Sequence, residues 1–203
     1  MQGYRQSREV EATGLRDVLD FIAYFARYTT TDGGLLGEWI QKNCGDVLAN
    51  IRSFDTEGKA VFGPGFTIEL KVEAANKYAN FFLETWSNRT FGRQTVGWAY
   101  TCKSDALFYY FAEEKDLYIL PFARLWEWAF VGGNIWKWPE KVQDKYSQLN
   151  TTCGRPVPIE EIRRAVGFRF YHMREDGLWV LKESVGKHNA WPERPAVQPA
   201  LFE

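Results

Sequence analysis

The stretch Phe66-Thr-Ile-Glu-Leu-Lys-Val-Glu73 decides the fold of this 203-residue chain. Apolar and polar residues alternate along it, which predicts a β-strand whose successive side chains point to opposite faces of a sheet. The apolar face carries Phe66, Ile68, Leu70 and Val72. The polar face carries Thr67, Glu69, Lys71 and Glu73. A strand of a mixed sheet is commonly covered on both faces, so an acid and a base side by side on it indicate a chemical role.

Helical and strand patterns lie on both sides of this strand. Before it, apolar residues at helical spacing predict a helix over 13–28, and a polar start with an apolar run predicts a strand over 46–54. After it, the patterns predict a strand over 80–86, a polar loop over 87–97, a helix over 103–112, a strand over 117–120 and a helix over 122–131. This order predicts an α/β fold in which helices flank a central mixed sheet.

The chain after residue 135 has a less regular pattern. We predict a short helix over 159–166 and a hairpin whose strands cover 168–173 and 178–182. The sequence therefore divides into a core over 1–135 and a C-terminal extension over 136–203 that packs on this core.

Composition limits the classes of function. The chain carries 25 Lys and Arg against 26 Asp and Glu, a formal net charge of −1, so it has no overall positive field that attracts nucleic acids or membranes. Binding to a polyanion must then come from a local basic patch. The GxxxxGK[ST] and GxGxxG phosphate-binding motifs are absent from the sequence, which argues against a nucleotide cofactor.

Aromatic residues make up 17% of the chain and are dense over 122–138. Large aromatic side chains favour a rigid core or an interface, so this region is our candidate surface for a homodimer or a protein partner. The three cysteines lack CxxC spacing, and no apolar run in the sequence approaches the roughly 18 residues of a membrane span. These features predict a cytoplasmic protein with no membrane segment.

An upstream acid adds to the polar face of the strand. Asp46 lies 23 residues before Glu69, at the start of the preceding predicted strand. If the two strands form a hairpin, Asp46 approaches Glu69 or Lys71. Two close carboxylates repel each other unless a cation lies between them, and their hard oxygen atoms suit Mg²⁺. A neighbouring lysine can then orient the attacking water or stabilise negative charge on a phosphate.

Asp46, followed by Glu69-Leu70-Lys71 on the next strand, resembles the motif of the PD-(D/E)XK nucleases, the restriction-endonuclease-like superfamily. The segment 45–49 is similar to the first motif strand of Holliday-junction-resolvase-like members. Further along, the segments 80–88, 97–98, 104–110 and 117–120 resemble phage-associated proteins of this type. The resemblance covers about residues 13–131. The predicted order of elements matches the core of the superfamily, which has a helix, three antiparallel strands, a helix and a strand.

The resemblance implies a metal-dependent DNA endonuclease that hydrolyses phosphodiester bonds, is encoded by a phage or mobile element and acts in the host cytoplasm. Asp46 and Glu69 would bind Mg²⁺ or Mn²⁺ with help from the Leu70 carbonyl, and the amine of Lys71 would position the attacking water. The further acidic candidates are Glu84 as a metal ligand, and Glu73 and Glu11 as secondary residues. The candidates for contact with DNA are Lys77, Ser87, Asn88, Arg89, Arg93 and Lys103.

Three other interpretations stay open. In the simplest, Asp46, Glu69 and Lys71 lie on a solvated sheet face and form an incidental ion pair. In the second, the protein keeps the nuclease fold without catalysis and serves as a DNA- or protein-binding accessory module, which its near-zero net charge and aromatic surplus favour. In the third, a partner bound to the aromatic segment 126–138 supplies the affinity for DNA. The presence of all three residues favours the enzyme, because a site without activity need not keep them.

Overall fold

The computed structural model describes residues 2–25, 47–51, 66–90, 92, 94–143 and 151–186. The helices of this part of the chain are α1 (Gln2–Phe25), α2 (Trp98–Thr101), α3 (Phe122–Trp126) and α4 (Ile159–Ala165). A π-helical turn (Glu127–Val131) and a 3-10 turn (Asn134–Lys137) follow α3. The strands are β1 (Val47–Ile51), β2 (Phe66–Glu73), β3 (Asn80–Asn88), β4 (Thr95–Val96), β5 (Ala106–Phe111), β6 (Asp116–Pro121), β7 (Lys141–Val142), β8 (Cys153–Pro158), β9 (Phe168–Met173) and β10 (Trp179–Val185).

The strands form two sheets. The large sheet has six strands in the order β1-β2-β5-β6-β9-β10, and the small sheet has four strands in the order β4-β3-β8-β7. Strands β2 and β5 run parallel, whereas the other paired strands run antiparallel. This arrangement confirms the prediction of an α/β fold with a mixed sheet and helices.

The apolar face of β2 packs against α1. Ile68 and Leu70 are buried in one cluster with Val18 and Phe21 of the helix. Each side chain of this size contributes about 1.5–3 kcal/mol when it is fully buried. The helix lies so close to the strand that a Cβ atom at Gly14 would come within 2.5 Å of a β2 side chain. The absence of a side chain at Gly14 therefore permits this close packing.

A second apolar cluster fills the space between the other face of the large sheet and the small sheet. Phe81 and Leu83 of β3 are buried there with Tyr109 and Phe111 of β5. The rings of Phe81 and Tyr109 have their centroids 4.8 Å apart. Trp98 of α2 belongs to the same cluster. The central strands of the large sheet are thus covered on both faces.

The predicted order of three antiparallel strands is wrong at the third strand. β3 pairs with β4 and β8 in the small sheet, while β2 pairs with β1 and β5 in the large sheet. Alternate residues of β3, namely Phe81, Leu83 and Thr85, are buried. A strand that packs these residues onto the face of the large sheet forms a second layer, as sheets do when they stack face to face.

The predicted helix over 103–112 is also wrong, because this segment contains β5. All six residues of β5 are buried, and the strand pairs with β2 on one side and β6 on the other. An unbroken apolar run is typical of a strand that is covered on both faces. Because apolar residues fill every position of such a run, its hydrophobic periodicity does not distinguish a buried strand from a buried helix.

Other predicted elements are confirmed. β2 has the predicted bounds, β6 covers the strand predicted over 117–120, and α3 with its π-helical turn covers the helix predicted over 122–131. β9 and β10 form the predicted hairpin. The helix predicted over 13–28 begins earlier, at Gln2, and its last three positions lie outside the described residues.

The predicted C-terminal extension contributes strands to both sheets. β8 pairs with β3 in the small sheet, and β9 pairs with β6 in the large sheet. The boundary at residue 135 stays a prediction. None of the helices in the described part of the chain combines the length and the apolar character needed to span a membrane.

Candidate functional site

The polar face of β2 lies between the two sheets. Because Ile68 and Leu70 face α1, the alternating residues Glu69, Lys71 and Glu73 face the opposite side, where the small sheet lies. Glu69 is 4% exposed, and Lys71 and Glu73 are half-buried. This burial argues against the interpretation in which these residues lie on a solvated sheet face.

Glu69 and Lys71 form a buried ion pair. The Lys71 Nζ atom lies 3.2 Å from Oε1 of Glu69. Burial raises the pKa of Glu69 to about 7, and the negative charge of Glu84 adds to this rise, whereas a hydrogen bond with Cys102 lowers the pKa. Glu69 is therefore a carboxyl group that exchanges its proton near neutral pH.

Burial also brings the pKa of Lys71 towards neutral pH. Burial lowers its pKa to about 8, and the charges of Glu84, Glu11 and Glu73 act in the opposite direction. The ammonium group lies 5.0 Å from the centroid of the Trp98 ring, within the range of a cation–π interaction. At pH 7 Lys71 is mainly protonated, so a cation is held inside the structure.

A close backbone approach puts Trp98 beside Lys71. Trp98 begins α2, and the preceding Gly97 donates a backbone hydrogen bond to the carbonyl of Thr85 on β3 at 2.8 Å. A Cβ atom at position 97 would lie 2.4 Å from the carbonyl oxygen of Glu84. Only glycine allows α2 to lie this close to β3, and this contact sets the position of the Trp98 ring.

Tyr109 connects Glu73 to the small sheet. Its hydroxyl donates a hydrogen bond to Oε1 of Glu73 at 3.1 Å and accepts one from the backbone N–H of Phe82 at 3.0 Å. Burial raises the pKa of Glu73, while hydrogen bonds with Tyr109 and Gln143 lower it. Gln143 follows β7, so the chain beyond residue 135 contributes a side chain to this site.

Glu84 of β3 adds a third carboxylate. The Ser87 hydroxyl donates a hydrogen bond to its Oε1 atom at 2.8 Å. Burial is the first cause of the raised pKa values of Glu69 and Glu73, and the negative charge of Glu84 raises both further. Glu84 was expected to lie on the strand beside β2, but it reaches the site from the small sheet instead.

Glu11 of α1 is half-buried, and its charge raises the pKa of Lys71. The helix therefore places this secondary acidic candidate within electrostatic range of Lys71. The candidate site combines four glutamate side chains, Glu11, Glu69, Glu73 and Glu84, with one lysine. The excess of negative charge makes the site chemically suited to a cation.

Within the part of the chain that the structure describes, no three His, Cys, Asp or Glu side chains have the geometry of a metal site. Asp46 lies outside the described residues. In the sequence it directly precedes β1, and the first residue of that strand, Val47, pairs with Leu70 between Glu69 and Lys71. The carboxylates have the hard oxygen donors that Mg²⁺ and Mn²⁺ prefer, so the chemistry of the donor set fits such an ion.

The residues predicted to contact DNA differ in how exposed they are and in whether they already make contacts within the protein. Lys77 and Lys103 are exposed. Ser87 donates to Glu84, the side-chain oxygen of Asn88 accepts from the backbone N–H of Thr90, and Arg89 forms an ion pair with Glu140. Arg93 lies outside the described residues. Three of the six candidates therefore make contacts within the protein.

Sequence reasoning missed three side chains that shape the site, namely Trp98, Cys102 and Tyr109. Tyr109 pairs in register with Lys71 on the parallel strand β5, so a correct strand prediction there would have identified it. Burial raises the pKa of the Cys102 thiol to about 12, so this group stays protonated at neutral pH. No feature of the local sequence marks Trp98 or Cys102, because tertiary packing alone brings them to Glu69 and Lys71.

Comparison of this chain with family models, curated proteins and solved structures finds no match.

Proposed function

We propose that this protein is a metal-dependent endodeoxyribonuclease of the PD-(D/E)XK type, with a restriction-endonuclease-like core. The buried ion pair of Glu69 and Lys71 carries the proposal. Removing two charges from water costs several kcal/mol per ion, and their mutual attraction only partly offsets this cost. A chemical role explains why an acid and a base are kept at this position on a strand that is otherwise buried.

The distribution of charge supports a cation in the site. Glu84 lies within electrostatic range of both Glu69 and Glu73, with Lys71 as the nearby cation among the described residues. Burial raises the pKa of Glu69 and Glu73, so the protein environment alone disfavours their ionised forms. A divalent cation would favour those ionised forms.

Asp46, Glu69, Glu84 and the Leu70 carbonyl are the groups that would hold Mg²⁺ or Mn²⁺. When bound, such an ion polarises the phosphate and lowers the pKa of a bound water. The residues of the chain perform the remaining steps. The ammonium of Lys71 orients a water or stabilises a phosphate oxygen, and Trp98 limits its movement. As a ligand of the ion, Glu69 would be held in its ionised form.

The β-structure agrees with this assignment in one respect and departs from it in another. β1 runs antiparallel to β2, which carries Glu69-Leu70-Lys71, and β5 runs parallel to β2. The departure is β3. The resemblance implies that this strand is the third antiparallel strand beside β2, but it belongs to the small sheet. We place the enzyme in the cytoplasm, that of the host if a phage encodes it.

A cleavage assay tests the proposed function. Purified protein is incubated with supercoiled plasmid and with branched DNA in Mg²⁺ or Mn²⁺, beside Glu69→Gln and Lys71→Met. We expect cleavage by the wild type and a loss of about 100-fold or more in each variant, the size found when one group that stabilises the transition state is removed. The matched controls are Glu113→Gln and Lys182→Met, because both side chains are exposed outside the site.

The controls should cleave at the wild-type rate. Absence of cleavage with every metal, or equal rates in Glu69→Gln, Lys71→Met and the wild type, would show that the assigned site does not catalyse this reaction.

A second candidate function is a nuclease-fold accessory protein that binds DNA or another protein without cleaving. Its support is the net charge of −1 and the aromatic surplus of the chain. Such a protein would bind its partner equally well with and without divalent metal. Lys71→Met would leave that binding unchanged and would have no cleavage activity to lose.

A further inference from the structure

We infer that Trp136 and Arg155 form a stacking platform for an unpaired base of the nucleic acid substrate. This inference rests on the proposed function, because it specifies the form of DNA that the enzyme takes. We name this pair of residues the Trp136 platform. Base stacking on an exposed aromatic ring requires a base that has left the duplex stack, so the platform predicts a preference for single-stranded or branched DNA over intact duplex.

Trp136 is unusual in its exposure. Its side chain is 53% exposed, whereas the other tryptophans of the described chain are buried or half-buried. An exposed indole ring offers a large and rigid contact surface to a ligand. Among the tryptophans that the structure describes, Trp136 therefore has the ring that a ligand can reach.

Local structure holds the ring in place. Trp136 lies in the 3-10 turn that follows Gly133, whose φ of 64° is in the left-handed region that favours glycine. The guanidinium carbon of Arg155 lies 4.8 Å from the centroid of the ring, and Arg155 also donates a hydrogen bond to the carbonyl of Trp138. A ring that is already stacked on a fixed arginine loses little side-chain freedom when it binds a base.

The charge around the platform favours a polyanion. Arg155 lies under the ring, and Lys137 and Lys141 are both exposed beside it in the sequence. The nearby acid Glu140 is already in an ion pair with Arg89. Arginine and lysine beside an exposed aromatic ring are the combination that single-strand binding proteins use, in which cations contact phosphates and rings stack on bases. An apolar protein partner would gain nothing from these cations.

The register of the small sheet connects the platform to the candidate site. Arg155 of β8 pairs with Leu83 of β3, and the next position, Gly154, pairs with Glu84. On the other side of β8, Lys141 pairs with the same Gly154. Neighbouring strands lie about 4.8 Å apart, so these cations are one or two strands from the site carboxylate. Paired residues of neighbouring strands share a face, so Lys141 lies on the Glu84 face of the small sheet, whereas Arg155 lies on the Leu83 face. A nucleic acid strand at the site would therefore reach the platform by way of Lys141.

Binding in the absence of metal tests the platform separately from catalysis. Fluorescence anisotropy is measured with a labelled single-stranded oligonucleotide and with its duplex, in EDTA. Trp136→Ala should weaken single-strand binding about 5- to 150-fold, the range for loss of one stacked base, and Trp136→Phe should restore part of it. Tyr78→Ala is the matched control, because this aromatic side chain is 82% exposed and lies between β2 and β3.

The outcomes separate this inference from the proposed function. If Tyr78→Ala binds the single strand like the wild type while Trp136→Ala does not, the platform is supported whether or not the wild type cleaves. Equal single-strand affinity of the wild type and Trp136→Ala overturns it, and so does a complete lack of DNA binding by the wild type. Sedimentation velocity tests the alternative that this surface is an interface between protein chains. A change of oligomeric state in Trp136→Ala without a change in DNA affinity would mark a protein interface and overturn the platform.

Discussion

Replacing Glu69 with glutamine tests the burial of the candidate site through protein stability alone. Burial raises the pKa of this carboxyl from 4.5 to about 7, and its side chain is only 6% exposed, so solvent screens little of the effect. An acid with a higher pKa in the folded state binds its proton more tightly there than in the unfolded chain. The wild type therefore loses stability as the pH rises from 4.5 to about 7.

The size of this loss follows from the two pKa values. The difference between 4.5 and about 7 corresponds to about 3 kcal/mol, at about 1.4 kcal/mol per pKa unit. Glutamine cannot ionise, so Glu69→Gln lacks this loss. Lys71 has a folded-state pKa of about 8 and an ordinary value of 10.5, so it is mainly protonated in both states below pH 7 and adds little slope there.

Urea unfolding followed by circular dichroism gives the free energy of unfolding at pH values from about 4.5 to 7.5. We expect the value for Glu69→Gln minus that for the wild type to rise by about 3 kcal/mol over this range. Glu113→Gln is the control, since Glu113 is exposed in the turn after β5, and its difference from the wild type should stay flat. A flat difference for Glu69→Gln as well would refute the reasoning that this carboxyl ionises in a buried site.

Two further substitutions test how the site is assembled. Gly97→Ala places a Cβ atom 2.4 Å from the Glu84 carbonyl oxygen, so we expect a loss of about 1–3 kcal/mol in urea unfolding, and wild-type stability would contradict the close approach of α2 to β3. Tyr109→Phe removes the hydroxyl that accepts from the Phe82 N–H and donates to Glu73, which should also cost about 1–3 kcal/mol. A neutral result for Tyr109→Phe would mean that this hydrogen-bonded link does not hold the two sheets together.

The sequence predicted the elements whose patterns are local. β2 has the bounds that its alternating residues predicted, because a period of two residues is a property of the strand itself. The same rule placed Glu69 and Lys71 on one face, and their ion pair follows from that spacing. The prediction failed at β5, where an unbroken apolar run fits a buried strand and a buried helix equally well. Only the neighbouring strands β2 and β6 distinguish the two.

The sheet to which β3 belongs could also not be predicted from the sequence. Its residues form a strand as predicted, but the sequence does not show which sheet the strand joins. The choice depends on β8, which lies about seventy residues later in the chain and supplies the pairing partner of Phe81 and Leu83. Because hairpins between consecutive strands are common, the nearer partner was the natural expectation.

The sequence by itself determined which ionisable groups this protein carries and that Glu69 and Lys71 are neighbours on one strand face. The tertiary structure decided their chemistry. The small sheet covers both groups and brings Glu84 to them, while α2 brings Trp98 and β5 brings Tyr109. The pKa of a carboxyl or an amine depends on the solvent and charges around it, and these are set by all the elements that pack against β2. No local sequence pattern encodes this electrostatic environment, since it forms only when the two sheets pack together.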